Sequence, residues 1–273
     1  MGRRPRLPRC SIGSGGSVLK KALAFGLLLV CLTRSAWADI PLGERQSGVV
    51  LLSPGNRAMQ DDLSLNPASL WLMEGQALWQ QAPGPGQQAC QACHGPVERS
   101  MKGVAARFPR LVDGQLLNLE GQINRCRQVR QEQAPWRGES SPLLALSALI
   151  ALQSRGMPIQ VPAQASVSAD LAAGRRLFEQ RMGQINLSCA QCHDQRWGLQ
   201  LGGVTIHQAH PTGYPIYRLE WQSMGSLERR LRNCMNAVRA EPFAPGAIEW
   251  RQLELFLQWR ARGMPMESPA VRP

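Results

Sequence analysis

Lysine is almost absent from this chain once its first forty residues are set aside. From Asp39 onward Lys102 is the one lysine, and the other 23 basic side chains are arginines. The same stretch holds 24 basic against 19 acidic residues, which reduces the net charge of +12 for the whole chain to +5. So small an excess does not favour nucleic-acid binding. The arginines either reflect the codon bias of a GC-rich genome or provide guanidinium groups for oxyanions, sulfonates and carboxylates.

The sequence also lacks an apolar run long enough to span a bilayer. The N-terminal apolar run, residues 22–32, has about half of the ~20 residues that a membrane-spanning helix needs. Basic residues precede this run, and small residues follow it in "SAWAD", where a signal peptidase cuts. We expect residues 1–38 to be a Sec signal peptide cleaved after Ala38. The mature protein is then expected to be soluble in the periplasm, with no membrane insertion.

Strand-rich segments are missing as well, and the apolar periodicity predicts an all-α fold. Six cysteines follow the signal peptide, namely Cys90, Cys93, Cys126, Cys189, Cys192 and Cys234. Three disulfides would be usual for an exported protein with six cysteines. Four of them, however, lie in "CQACH" at 90–94 and "CAQCH" at 189–193. Both segments fit the C-x-x-C-H motif of c-type haem attachment.

The chemistry of haem attachment explains this spacing. Two thiols one helical turn apart add to the two vinyl groups of a haem, and the adjacent histidine ligates the iron. The predicted attachment residues are Cys90, Cys93, Cys189 and Cys192, and His94 and His193 are the predicted axial ligands. The two motifs together predict two covalently bound c-type haems in place of disulfides or another metal.

The two motifs belong to an internal repeat. Gly75 and Gly174 are 99 residues apart, as are the two haem motifs. Further along, the offset grows to 108, which relates Cys126 to Cys234. The second half therefore has nine extra residues between its haem motif and the cysteine that follows it. Both halves end in an apolar helix that closes on Arg-Gly-Met-Pro, since glycine suits a helix C-terminus and proline cannot continue it.

Each half therefore has the layout of a small class I cytochrome c domain. We expect two such domains in tandem, at 66–162 and 163–273, with the second as the catalytic one. The proline- and serine-containing segment 158–170 is predicted to link them. Residues 39–65 lie outside the repeat and are expected to form an extension that packs on one or both domains.

The second axial ligand of each iron is left open by the residues alone. Met157 and Met264 stand in Gly-Met-Pro, late in each half, where an electron-transfer cytochrome c places its distal methionine. Cys126 and Cys234 are the rivals; a thiolate lowers the reduction potential, whereas methionine raises it. If the methionines ligate, the two cysteines are spare and can join in one interdomain disulfide. Their matching places in the repeat favour a role inside each domain.

Long stretches of the chain closely resemble the SoxA family of c-type cytochromes, a subunit of the SoxAX complex or L-cysteine S-thiosulfotransferase. They include "SCAQCHD", "HPTGYPIYRLEWQSMGSLERRLRNCMNAVRAEP" and "RGMPMESPAVRP". The resemblance implies that each haem is ligated by histidine and a cysteine sulfur, which is Cys126 for the first and Cys234 for the second. It also implies thiosulfate as substrate, a SoxX-type cytochrome as heterodimer partner and a SoxYZ-type carrier protein.

The repeat itself singles out the second site. At the offset of 108, Arg230 corresponds to Gln122 and Arg239 to Gln131. Arg230 precedes Cys234 by four residues, which places both side chains on one helix face. A nearby cation favours the thiolate, and a guanidinium binds two oxygens of a sulfonate. We therefore predict Cys234 as the catalytic, sulfur-bearing residue and Arg230 as the substrate-binding residue.

The reaction implied by the resemblance is oxidative conjugation of thiosulfate to a carrier cysteine. Two other functions stay open: a dihaem electron carrier with Met157 and Met264 as ligands, and a thiosulfate dehydrogenase that forms tetrathionate. His207 and His210, in the loop enlarged in the second half, either line the entrance, bind a metal or serve only the loop.

Overall fold

Helices account for most of the regular structure in this computed structural model, which describes residues 40–273; the predicted signal peptide lies outside the described residues. The α-helices there are α1 (Pro54–Asp61), α2 (Ser69–Gln80), α3 (Cys90–His94), α4 (Val97–Ser100), α5 (Leu119–Arg130), α6 (Ser141–Leu152), α7 (Ser168–Glu179), α8 (Cys189–His193), α9 (Leu227–Ala237) and α10 (Ile248–Arg260). None of the helices in this part of the chain combines the length and hydrophobicity needed to cross a membrane.

Short strands join the helices, which the all-α prediction did not include. They are β1 (Arg110–Val112), β2 (Gln115–Leu117), β3 (Gln200–Leu201), β4 (Val204–Thr205), β5 (Ile216–Arg218), β6 (Ser223–Gly225) and β7 (Ala270–Arg272). The pairs β1–β2 and β3–β4 are antiparallel hairpins, while β5 pairs antiparallel with β6 and parallel with β7. Strands of two or three residues are too short to show a period-two pattern in the sequence.

The same helix crossing occurs in both halves of the chain. Helix α2 packs on α6, and α7 packs on α10. Each crossing is made at the glycine that the repeat aligns. A Cβ on Gly75 would lie 2.5 Å from the Ala145 carbonyl oxygen, and one on Gly174 would lie 2.0 Å from that of Gln252. The glycines are therefore required because two backbones meet there.

The two Arg-Gly-Met-Pro turns bond to each other. The Met266 amide donates to the Met157 carbonyl at 2.9 Å, and the Gly156 amide donates to the Met266 carbonyl at 2.8 Å. A third bond of 2.9 Å runs from the Ile159 amide to the Met264 carbonyl. These main-chain bonds join the ends of the two halves, and residues 40–273 form one compact unit.

The predicted linker, 158–170, is not a free tether. Ile159, Val161 and Val167 are buried in the main core cluster, and α7 already begins at Ser168. The segment therefore contributes apolar side chains to the core that both halves share.

The extension before the repeat contacts both halves. The Gln46 amide donates to Oε1 of Gln208 at 2.7 Å, which ties the extension to the second half. The Arg155 guanidinium donates to the Gln60 carbonyl at 2.9 Å, which ties α1 to the first half. Helix α1 also packs against β7. The extension thus fastens the loop between His193 and β5 to the rest of the protein.

An acidic cluster lies where α5, α9 and α10 approach one another. Burial raises the pKa of Glu254 and of Glu120 above the ordinary value of 4.5. The negative charges of Glu120 and Glu228 add to the shift at Glu254, and those of Glu139 and Glu228 add to the shift at Glu120. Arg251 opposes it at Glu254. Because carboxyl groups with raised pKa values take up protons on folding, they stabilise the folded state at low pH, and this stability is lost as the pH rises through the raised values.

The variant Glu254→Gln is therefore expected to weaken the pH dependence of stability. The amide resembles the protonated carboxyl and keeps a partner for Asn118, whose Nδ2 donates to the Glu254 carboxylate at 3.0 Å. Thermal unfolding should show a melting temperature roughly 4 °C above that of the parent at pH 8.5, and little difference at pH 5. Glu98→Gln, at an exposed site in α4, is the control. Parallel pH profiles for Glu254→Gln and the parent would contradict the raised pKa.

Candidate haem and sulfur site

The first haem motif forms the short helix α3. Cys90 in it is half-buried, while Cys93 and His94 are exposed. Trp79 of α2 holds the end of this helix, since its indole Nε1 donates to the Gly95 carbonyl at 3.0 Å. The Trp79 ring also lies 5.7 Å from the imidazole ring of His94, centroid to centroid. The buried tryptophan therefore positions the predicted ligand of the first iron.

The second motif, α8, is fixed at both of its ends. Ser188 and Gln191 form a reciprocal capping box at the start, with bonds of 3.3 and 2.9 Å. Just after the helix, Asp194 pairs at 2.5 Å with the buried guanidinium of Arg260 from α10. A buried ion pair of this kind holds its partners in one geometry, because breaking it would leave an unpaired charge. The second motif is held more firmly than the first.

His193 is positioned by the loop that is enlarged in the second half. Its Nδ1 donates to the His207 carbonyl at 2.6 Å, which leaves Nε2 with its lone pair for a metal. Burial lowers the pKa of His193, as do the charges of Arg260 and Arg230, while the His207 bond opposes them. The imidazole is therefore held neutral, as a metal ligand must be.

The two histidines of the enlarged loop make structural contacts. The His207 ring packs on the His193 ring at 5.1 Å, and burial lowers the pKa of His207 to about 3, with further lowering by His193 and Arg230. His210 is bonded through Nδ1 to the Gln46 carbonyl at 3.0 Å. One histidine thus supports the predicted iron ligand, and the other anchors the extension.

The two remaining cysteines lie beside the haem motifs of their own halves. Burial raises the pKa of the Cys90 thiol, and the next contribution comes from the neighbouring Cys126. Burial likewise raises the pKa of Cys189 to about 12, with Cys234 as the next contribution. All six cysteines of residues 40–273 are free thiols. This arrangement favours a separate role for each cysteine in its own half over a disulfide between Cys126 and Cys234.

Of the methionines in the two Gly-Met-Pro turns, Met264 packs in the joint between the halves. Met264 is buried in the cluster that contains Leu149 and Ile150 of the first half. Cys189 packs against a different cluster, built on Phe178 and its neighbours, to which Met264 does not belong. The geometry thus favours cysteine over methionine as the second ligand of the second iron.

The residue four places before Cys126 contacts the sulfur of that cysteine. In α5, the Gln122 amide Nε2 donates to the Cys126 sulfur at 3.3 Å. In α9, Arg230 occupies the matching position, and it is half-buried. The two sites have the same frame, but the second replaces a neutral amide with a guanidinium.

Comparison with known proteins agrees with this geometry. The family model described as SoxA/TsdA, cytochrome c domain, matches residues 74–159 and 173–266. The L-cysteine S-thiosulfotransferase subunit SoxA of Rhodovulum sulfidophilum is 33% identical over 231 residues, which cover 84% of this chain and 80% of the relative. The chain belongs to the SoxA family. The SoxA subunit of Allochromatium vinosum is 31% identical over 249 residues, which cover 88% of this chain and 86% of the relative.

A solved structure is similar to this chain in its fold as well as in its sequence. A chain of the crystal structure of SoxXA from P. pantotrophus matches with a TM-score of 0.81 and 30% identity, covering 84% of this chain and 87% of that chain. The predictions of a cytochrome c fold and of an enzyme, a SoxA-type subunit of an L-cysteine S-thiosulfotransferase, are confirmed. The family model also matches one segment on each side of residues 160–172.

Sequence reasoning missed two residues beside the second site of this SoxA family member. Burial raises the pKa of Tyr214 to about 12; Arg230 acts against this shift and Cys234 adds to it, so the phenol lies near both. Arg218, at the end of β5, is the second. Both residues stand in the segment "HPTGYPIYRLEWQSMGSLERRLRNCMNAVRAEP" that carries the resemblance, but nothing in their spacing indicates that they lie near α9. Arg239 instead lines a cavity together with Met235 and Phe243.

Proposed function

We propose that this protein conjugates thiosulfate oxidatively to a cysteine of a SoxYZ-type carrier protein in the periplasm. The supporting observation is that Arg230, on the helix face of Cys234, lies close enough to His193 for its charge to lower the pKa of that histidine. Cys234 in turn lies beside the haem-motif cysteine Cys189. A guanidinium and a sulfur nucleophile thus meet at one predicted iron site.

The residues present fit two c-type haems. Each motif has two free thiols one helical turn apart, and Nε2 of His193 is oriented for a metal by the bond at Nδ1. The covalent attachment residues would be Cys90, Cys93, Cys189 and Cys192, and the axial ligands would be His94 with Cys126 and His193 with Cys234. When bound, the haems supply two one-electron acceptors, and thiolate ligation lowers their potential.

The chemistry at the sulfur atoms balances with two electrons and one proton. A carrier thiol and thiosulfate give carrier–S–S–SO3⁻, one proton and two electrons, so the total charge stays at minus two. In the first step the outer sulfur of thiosulfate bonds to the Cys234 thiolate sulfur while Arg230 binds the sulfonate oxygens. This bond formation releases both electrons, for which the two haems, when bound, would be the acceptors. The carrier thiolate then attacks that outer sulfur and breaks its bond to Cys234, in an ordinary exchange at sulfur.

The proposed organisation follows from the repeat. The first cytochrome c domain spans residues 66–162 and serves electron transfer or structure, and the second spans residues 163–273 and carries the chemistry. The extension, residues 39–65, follows a signal peptide at 1–38 that directs export. The partner is a SoxX-type cytochrome in a heterodimer, supported by the match to a chain of SoxXA.

The variant Arg230→Gln tests this function, because it gives the second site the residue that the first site has in Gln122. Loss of a charge-assisted pair should raise the KM for thiosulfate about 10- to 100-fold, with the haem content unchanged. The measurement is carrier-dependent conjugation by the assembled complex, followed by mass spectrometry of the carrier.

Arg229→Gln is the matched control for Arg230→Gln, since it removes the neighbouring arginine on the same helix. It should change the KM less than threefold, because Arg229 stacks on the Trp221 ring at 4.1 Å and stands five residues before Cys234, off the helix face that Arg230 shares with that cysteine. Equal effects of the two substitutions, or no effect of Arg230→Gln, would reject the assignment of Arg230 as the substrate-binding residue.

A further inference from the structure

Arg218 is linked to the first turn of α9 through the Trp221 ring. Residues 216–218 of β5 pair with β6, in a register that sets Ile216 opposite Gly225, at the junction of β6 with the N-cap of α9, and Arg218 opposite Ser223, at the other end of β6. The Trp221 ring lies against this junction: a Cβ on Gly225 would lie 2.3 Å from it. The guanidiniums of Arg218 and Arg229 stack on the same ring, at 5.2 and 4.1 Å.

The Arg218 side chain is only partly used by its neighbours. Its Nη2 pairs with Glu220 at 2.7 Å, but the Glu220 side chain is 65% exposed, whereas that of Arg218 is 15% exposed. Its Nε is buried without a hydrogen-bond partner among the described residues. A buried N–H group that bonds to nothing costs free energy, so the position calls for an acceptor.

Arg218 also faces another cation. Burial is the first cause that lowers the pKa of Arg218, and repulsion by Arg230 is the second, ahead of the attraction by Glu220. Arg272, which lies opposite Arg218 in the sheet, differs in that its guanidinium is bonded to both Glu267 and Gln60. Repulsion between the guanidiniums of Arg218 and Arg230 therefore remains although Glu220 pairs with Arg218.

We propose that Arg218 is the second guanidinium of the oxyanion site and that, with Arg230, it selects a doubly charged sulfur anion over a singly charged one. This inference rests on the proposed function and names a binding residue and a charge preference for the same site. Two guanidiniums that repel each other are stabilised together when a dianion binds near both. A monoanion relieves less of the repulsion.

The charge preference suits the reaction sequence. Thiosulfate enters with two negative charges, and its thiosulfonate group leaves on the carrier with one. A site that binds the dianion more tightly than the monoanion therefore takes up the substrate and favours release of the product. Trp221 and Glu220 hold Arg218 in place without neutralising it.

The experiment compares two ligands that share a sulfonate group but differ in charge. Thiosulfate is the dianion, and S-methyl thiosulfate, in which a methyl group caps the outer sulfur, is the monoanion. Their affinities for the assembled holoprotein are measured by calorimetry, without carrier or turnover. Arg218→Gln should weaken thiosulfate about tenfold and S-methyl thiosulfate less than threefold. Arg218→Lys should restore part of the preference, and Arg229→Gln should leave the ratio within twofold.

The outcomes separate this inference from the function on which it rests. If Arg218→Gln weakens both ligands equally, or neither, while Arg230→Gln still weakens thiosulfate, the role of Arg218 is rejected and the proposed function stands. If Arg230→Gln has no effect on thiosulfate binding either, both proposals fail. An altered haem spectrum in Arg218→Gln would show a structural role and overturn the assignment as a binding residue.

Discussion

Replacing Cys234 by alanine is expected to reduce carrier-dependent thiosulfate conjugation by about a thousandfold or more, because it removes the sulfur atom that exchanges with the substrate. The second haem should stay attached, since Cys189 and Cys192 remain and His193 is still held by the His207 carbonyl. The measurements are carrier modification by mass spectrometry and haem content by pyridine haemochrome absorbance.

Cys126→Ala is the matched change in the first half. Its site has Gln122 in place of an arginine, so conjugation should remain measurable in that variant. Full activity in Cys234→Ala would remove the proposed mechanism. Conversion of thiosulfate to tetrathionate without any carrier, by the parent protein, would assign the second site to a dehydrogenase instead. One added sulfur atom on the Cys234 peptide would support its role as the sulfur-bearing residue.

Gly174→Ala is expected to destabilise the second half strongly, because it adds a methyl group where two helix backbones meet. The new Cβ would lie 2.0 Å from the Gln252 carbonyl oxygen and 2.9 Å from Cβ of Phe256. Main-chain atoms cannot turn aside as a flexible side chain does, so α7 and α10 must move apart. We expect a loss of about 3 kcal/mol in the free energy of unfolding and a melting temperature lower by roughly 6–12 °C.

Gly55→Ala is the control, because its Cβ would meet no atom within 4 Å and Gly55 is inside α1. Alanine has the higher helix propensity, so this change should leave the melting temperature unchanged or raise it slightly. Thermal unfolding followed by circular dichroism measures both variants. Equal melting temperatures for Gly174→Ala and the parent would show that the crossing tolerates a wider separation.

The helices could be predicted from the sequence because their apolar residues recur with a helical period and their ends carry glycine and proline. The repeat aligns Gly75 with Gly174, and both helix crossings are made at these glycines. The strands could not be predicted, since β5 and β7 are three residues long and are separated by 51 residues of chain. Their pairing is set by tertiary contacts, and a local pattern does not record it.

The residues of the candidate site likewise fall into those that the sequence predicts and those that it does not. Cys234, Arg230 and His193 could be predicted because their spacings are those of a helix turn and of a haem motif. Tyr214 and Arg218 could not, because they reach the site through the fold of the enlarged loop and the sheet. The bond from His193 to the His207 carbonyl is a main-chain contact, and the identity of residue 207 carries no signal for it.

The crossed Arg-Gly-Met-Pro turns make each half of this protein dependent on the other. Either half produced alone would present unpaired main-chain groups at its last turn, together with apolar side chains such as Met264 or Ile159 that its counterpart now covers. Two modules that look interchangeable in the sequence therefore fold as one cooperative body. The main-chain bonds between the turns accordingly hold the two haem motifs of residues 40–273 at a fixed separation.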